Sequence, residues 1–172
     1  MNNPFKKSYT EEEQKKIDYL SKIYLFDNLT QDEVAIFIPY LYERNYKENE
    51  IVFFRKDPSQ ALYILRSGRV QINVDVQEAI EKLVYLDPGA AFGESCLMKN
   101  KFRGANAMVV SDEAQFYVIP QVNFFDIFEG HVEIKAKMME TLANFYSEIH
   151  SNIINAYRST SGFFHLADLY SD

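Results

Sequence analysis

Two side chains of opposite charge, Glu94 and Arg103, frame a segment that opens on Phe92-Gly93-Glu94 and closes on Arg103-Gly104-Ala105. Gly93 stands where a β-prone run ends and a helical turn begins. Glycine there lets the backbone come close to a ligand in dihedrals closed to other residues. The amides of Glu94, Ser95 and Cys96 then lie at a helix start, where unpaired N–H groups and the helix dipole favour phosphate. Arg103 adds a permanent cation that can meet phosphate oxygens two at a time. Lys99 and Lys101 add long-range attraction. Glu94 would repel a phosphate aimed at it, so a sugar hydroxyl is the partner its oxygens fit. The combination points to a phosphorylated ribose. The plainer alternative for Glu94 and Arg103 is an ion pair closing an empty turn.

Other chemistries find less support. His131, His150 and His165 are scattered over helical and tail segments, so no clustered metal-ligand set is expected. Cys96 has no histidine near it in sequence and Ser95 is not in a nucleophile elbow. A non-catalytic protein is expected, with no catalytic residues, no metal and no cofactor. The net charge of −7 and pI near 5.0 argue against a nucleic-acid partner. No apolar run approaches the roughly 20 residues needed to cross a bilayer, so no membrane partner is expected. The first nine residues hold no signal-peptide core, and a single cysteine fits a reducing compartment, so the expected location is cytoplasmic.

The elements that would position the segment can be read from spacing. Nearly half of the 172 residues are hydrophobic, enough for a core. Thr10 with Glu13, and Thr30 with Glu33, have capping-box spacing. The first opens a stripe of Ile17, Leu20, Ile23 and Tyr24; the second opens a helix with Val34, Phe37 and Leu41 that Pro39 kinks or shortens. β-Prone runs follow at 50–54, 61–66, 69–75, 82–86, 105–111 and 115–119, with turn signals between them. From Pro120 the helical period returns. Val122, Phe125 and Phe128 mark a short helix ending near Gly130. Ile134, Met138, Leu142, Phe145, Ile149 and Ile153 mark a longer one. That helix outruns a small barrel, so Asn152 to Tyr157 should project, and its apolar stripe over 132–157 reads as a homodimer seam. The fold class is mostly β with flanking helices, an antiparallel β-roll or jelly roll.

At this point the segment resembles the phosphate-binding cassette of the cyclic-nucleotide-binding domain family, found in catabolite activator proteins and protein kinase A regulatory subunits. The family pattern is Phe-Gly-Glu, a spacer and Pro-Arg-Ala-Ala. The resemblance runs from about Tyr24 to Tyr146 and includes Phe26 to Thr30 and the strand pair Ala61 to Val70 with its turn at Gly68. It implies a ligand-binding set of Phe92, Gly93, Glu94, Ser95, Cys96, Arg103, Gly104 and Ala105. Within it, Glu94 would take the ribose 2′-hydroxyl and Arg103 the cyclic phosphate. Amides near Gly93, Ser95 and Ala105 would complete the cradle. Phe145, Tyr146 and Ile149 are candidates to close over the base. Members selective for cyclic GMP often carry a hydroxyl residue after the arginine; Gly104 has none, so cyclic AMP is expected, with cyclic GMP second. Phe102 replaces the family's proline, Gly104 an alanine, and Asn49 and Lys56 two glycines.

The expected organisation is a helical extension over 1–22, a binding domain over 23–158 and a tail over 159–172. Too few residues follow the long helix to build a helix-turn-helix. The expected function is therefore a stand-alone sensor that signals to an unidentified effector protein by rearranging its C-terminal helices. The alternative is an interaction or dimerisation module of the same fold that has lost its ligand.

Overall fold

A computed structural model describes residues 8–76 and 79–161. Both capping boxes close. Thr10 starts helix α1 (Glu11–Leu20) and Thr30 starts α2 (Gln31–Ala35). In each, the threonine hydroxyl accepts from the glutamate amide while the carboxylate accepts from the threonine amide. Helix α1 is shorter than its apolar stripe implied, since the chain turns at Ser21 and Tyr24–Phe26 form a separate 3-10 turn. Pro39 shortens the second helix as expected, leaving Ile38–Tyr40 as a 3-10 turn.

Eight strands follow: β1 (Tyr42–Lys47), β2 (Ile51–Phe53), β3 (Ala61–Ser67), β4 (Val70–Val76), β5 (Ala79–Leu86), β6 (Ala91–Phe92), β7 (Asn106–Val109) and β8 (Glu113–Pro120). They form two antiparallel four-stranded sheets, ordered β1-β8-β3-β6 and β2-β7-β4-β5. This is the expected β-roll. Strand β1 departs from the expectation. Tyr42 to Lys47 has no apolar alternation and is exposed along most of its length. It is a strand because it pairs with β8 from Tyr42↔Val118 to Lys47↔Glu113; backbone hydrogen bonds hold it, and burial contributes little.

Strands β3 and β8 are apolar on both faces because each separates two cores. Leu62, Ile64 and Ile119 face the helices and join Ile17, Leu20, Phe26 and Phe124. Leu65, Phe116 and Val118 face the other sheet and join Val52, Val70 and Val109. Residues 17 and 20 of the expected N-terminal extension are fully buried in the first of these cores.

Helix α3 (Gln121–Gly130) ends where expected but buries Phe124, Ile127 and Phe128, leaving Val122 64% exposed. Both stripes have helical spacing in a segment apolar at five positions, so spacing alone did not choose between them. Helix α4 (Val132–Ser161) buries Ile134, Met138 and Leu142, then leaves Ile149 and Ile153 exposed. Its inner half is tied to the N-terminal helices. Lys137 Nζ lies 2.8 Å from both Glu33 oxygens, and Asn28 donates to Thr141 at 3.0 Å. Lys137 also holds the Glu33 carboxyl below the usual carboxylate range. Phe163, Phe164 and Leu166 of the tail lie outside the described residues.

The β3–β4 turn requires Gly68. Its φ is +85°, and a Cβ there would sit 2.3 Å from the Glu113 carbonyl and 2.7 Å from Ala114 Cα. Both are backbone atoms that cannot swing aside. Gly68→Ala is expected to destabilise the fold by more than about 1 kcal/mol in urea unfolding; an unchanged midpoint would contradict this account of the turn.

Candidate functional site

Strand β6 brings the segment into place. Tyr63↔Phe92 and Ile64↔Ala91 pair it to β3, and the Phe92 ring packs on Tyr63 with centroids 5.6 Å apart. Phe92 is therefore part of the inter-sheet core. Gly93 follows at φ +79° and starts a 3-10 turn, Glu94–Leu97. The Cys96 amide donates back to the Gly93 carbonyl at 3.1 Å, which leaves Glu94 and Ser95 ahead of that internal bond. The Cys96 thiol is fully buried among the helices. Burial pushes it up to about 12, so it is a core group with no free thiolate.

The return half of the segment is laced to the β2–β3 loop. Arg103 N–H donates to Asp57, Lys56 N–H to Arg103, and Ser59 N–H to Lys101, at 2.8, 2.9 and 2.9 Å. The buried Ser59 hydroxyl meets the Ser95 hydroxyl at 2.8 Å, joining loop to turn. The two residues that stand where the resemblance expects glycines nevertheless adopt glycine's region, Asn49 at φ 66° and Lys56 at φ 71°. Asn tolerates this region more readily than Lys. Phe102, in place of proline, faces solvent opposite Pro58. Gly104 stands in open space, with nothing within 4 Å of a Cβ built on it. The alanine usual at this place would fit, so the departure does not remodel the segment. Ala105 is half-buried just before β7.

Arg103 points inward and is 5% exposed. One terminal nitrogen donates to the Gly93 carbonyl at 2.8 Å and the other to the Ala61 carbonyl at 2.7 Å. The guanidinium carbon lies 4.1 Å from the centroid of Phe53 and 5.7 Å from that of Tyr63. Desolvation lowers its proton affinity below the usual arginine value, against weak support from Cys96, Tyr63, Glu94 and Asp57. Among the described residues no carboxylate forms an ion pair with it, and its buried Nε has no hydrogen-bond partner. The ion pair considered as the plainer alternative is not formed.

Glu94 bonds elsewhere. Its Oε1 accepts from the Tyr146 hydroxyl of α4 at 3.1 Å. Burial and then Glu94 raise the Tyr146 hydroxyl well above the ordinary tyrosine value. The neighbouring Phe145 stacks on Tyr24 at 4.6 Å. The Tyr24 hydroxyl is buried without a partner, and burial, followed by Glu94, raises it also. Of the three residues expected to close over a base, Tyr146 touches the segment, Phe145 packs beside it on Tyr24, and Ile149 is 38% exposed. Tyr24, Phe53, Tyr63 and the Ala61 carbonyl were not among the expected site residues. Their proximity depends on strand register and helix docking, for which no motif exists.

Residues 43–131 match the family described as the cyclic nucleotide-binding domain. The cyclic AMP receptor protein of Thermus thermophilus is 35% identical over 91 residues, covering 51% of this chain and 41% of that protein. The crystal structure of the Thermus thermophilus catabolite activator protein superposes with a TM-score of 0.65 at 25% identity, over 77% of this chain and 62% of that one. The regulatory domain of Toxoplasma gondii PKA, solved with cAMP, gives 0.63 at 21% identity over 70% and 46%. The chain thus spans less than half the length of the receptor protein it matches. Among the described residues no helix is long and apolar enough to cross a membrane, and no group of metal-binding side chains is present.

Proposed function

The chain belongs to the cyclic nucleotide-binding domain family, a regulatory fold, and from that premise we propose that it is a sensor whose cassette takes cyclic AMP in preference to cyclic GMP. The observation that carries this reading is Arg103, a buried cation whose two terminal nitrogens are anchored on carbonyls, whose Nε has no partner and which has no carboxylate counter-ion among the described residues. A buried charge of this kind is costly unless paired. The cyclic phosphate supplies the missing anion, and the amides ahead of the 3-10 turn supply further donors. Phe92 and Cys96 then act as core supports for the cassette, while the half-buried Glu94, Ser95 and Ala105 and the exposed Gly104 are left to meet the ligand. The ligand in the solved Toxoplasma domain and the name of the Thermus receptor favour cyclic AMP, as does the absence of a hydroxyl at Gly104.

The route to an output runs through Tyr146. Its hydroxyl donates to one oxygen of the carboxylate that would receive the ribose 2′-hydroxyl. Ribose and α4 therefore draw on the same carboxylate charge, and binding shifts α4 toward a second arrangement only by the difference in ligand affinity between the two. Beyond the body of the domain, Ile149 and Ile153 lie four residues apart on α4 and are 38% and 61% exposed. This continues the stripe that is buried further back on the helix, and a second copy of α4 is the partner its spacing fits. One observation favours the alternative reading, an interaction module with no ligand: the cassette's main side chains already have protein partners in Tyr146, Gly93 and Ala61.

Three measurements decide among these. Calorimetry on ligand-free protein is expected to give micromolar or tighter binding of cyclic AMP, and Arg103→Ala to weaken it about ten- to a hundredfold, the range for a hydrogen bond to a charged group. Absent or millimolar binding would support the interaction module. Tyr146→Phe is expected to tighten binding by up to about tenfold, because the Glu94 carboxylate no longer shares its charge with a second donor; weaker binding would mean that Tyr146 helps the ligand. Light scattering is expected to report a dimer that Ile153→Glu converts to monomer. A monomer before substitution would remove the seam.

A further inference from the structure

We propose that Phe53 is a positioning residue for the nucleotide, seating the Arg103 guanidinium so that its Nε donor stays available to the ligand's phosphate. The inference rests on the nucleotide-binding reading and adds to it a specific device. Arginine is a long, flexible side chain, and ordering it at the moment of binding costs conformational entropy. In this chain it is ordered beforehand from three directions. The Gly93 carbonyl comes from the turn after β6, the Ala61 carbonyl from β3, and the Phe53 ring from β2. Phe53 is the one contact of the three that comes from the opposite sheet. It meets the guanidinium from the side of β7, the strand into which Arg103 leads.

The chemistry of the seat matters as much as its shape. A carboxylate placed at Phe53 would hold Arg103 too, but it would neutralise the charge and compete with the phosphate. A ring face attracts the cation through its quadrupole and leaves the full positive charge for an anion. A guanidinium can lie flat on that face while its edge donates, which an ammonium cannot do. Phe53 is itself held. Its ring packs on Tyr63 at 5.7 Å and Phe92 at 5.8 Å, tilted 49° and 42°. Gly93 completes the fit, because a Cβ there would lie 2.3 Å from the Arg103 nitrogen that its carbonyl receives.

The test is calorimetric titration with cyclic AMP. Phe53→Leu, which removes the nearer of the two ring faces and keeps apolar bulk, is expected to weaken binding roughly ten- to thirtyfold. Phe53→Tyr, which keeps the face, is expected to restore it. In an Arg103→Ala background, Phe53→Leu is expected to add little further loss, because the partner it positions is gone. A residue acting only on the fold would lower affinity in both backgrounds. Should Phe53→Leu fail to fold, Phe53→Met supplies a ring-free replacement that adapts to the same space. Equal affinity of the folded ring-free variant and the unmodified protein, or equal losses in both backgrounds, overturns the seat while leaving the nucleotide reading intact. Silence of the unmodified protein toward both cyclic nucleotides overturns that reading and the seat with it.

Discussion

The structure turns on a buried positive charge held without a negative one. Arg103 lies between two sheets, fastened by two carbonyl oxygens and a phenyl face. Each of these holds the guanidinium in place and none neutralises it. In a chain of net charge −7 a carboxylate would have been easy to supply. Keeping carboxylates off Arg103 leaves its strongest interaction unmade. The rest of the roll can be understood as the frame for that arrangement. Strand β6 delivers Gly93, β3 delivers Ala61, β2 delivers Phe53, and the β2–β3 loop fixes the backbone of Arg103 itself.

The helical layer meets this frame at several polar contacts: Tyr19 of α1 donates to the Leu65 carbonyl, Gln121 of α3 donates to the Cys96 and Met98 carbonyls, and Tyr146 brings α4 to Glu94. Helix α4 is fixed near its start by Ile134, Met138 and the Lys137–Glu33 pair, and its next turns carry Phe145 and Tyr146. Phe145 is satisfied by stacking on Tyr24, a contact that fluctuations of the cassette need not disturb. Tyr146 instead depends on the Glu94 carboxylate. A change at Glu94 is therefore felt by α4 at a single turn, where the helix passes from buried to exposed. This is the kind of position at which a small local event can bias a larger rearrangement. The unpartnered Tyr24 hydroxyl nearby indicates that the present packing of this corner is not fully satisfied.

The turn that opens at Gly93 was legible in the sequence because the parts of its segment lie close in the chain and are chemically distinctive: a glycine, a carboxylate and an arginine at fixed spacing. The capping boxes at Thr10 and Thr30 were legible for the same reason, since each is complete within four residues. Strand β1 was not. Tyr42 to Lys47 is polar on both faces, and what makes it a strand is a partner some seventy residues later in the chain. The buried face of α3 was hidden by excess signal, five apolar residues where three face the core. The seat of Arg103 was invisible for a deeper reason. Phe53 and Tyr63 read as ordinary strand aromatics, and only the pairing of β2 with β7 and of β3 with β6 and β8 turns them toward the arginine.

Folding and ligand affinity are then two sides of one balance. The fold bears the desolvation of Arg103 with only partial compensation, together with an orphaned Nε. Groups left in that condition cost on the order of 1–3 kcal/mol, more when charged. An anion that binds the folded state alone recovers that cost and stabilises the fold by mass action. The aromatic seat limits the cost without removing it, because a ring face weakens the penalty and leaves the charge unpaired. On the proposed reading, the cation costs the fold little enough to be carried and stays unsatisfied enough for a phosphate to gain by binding it.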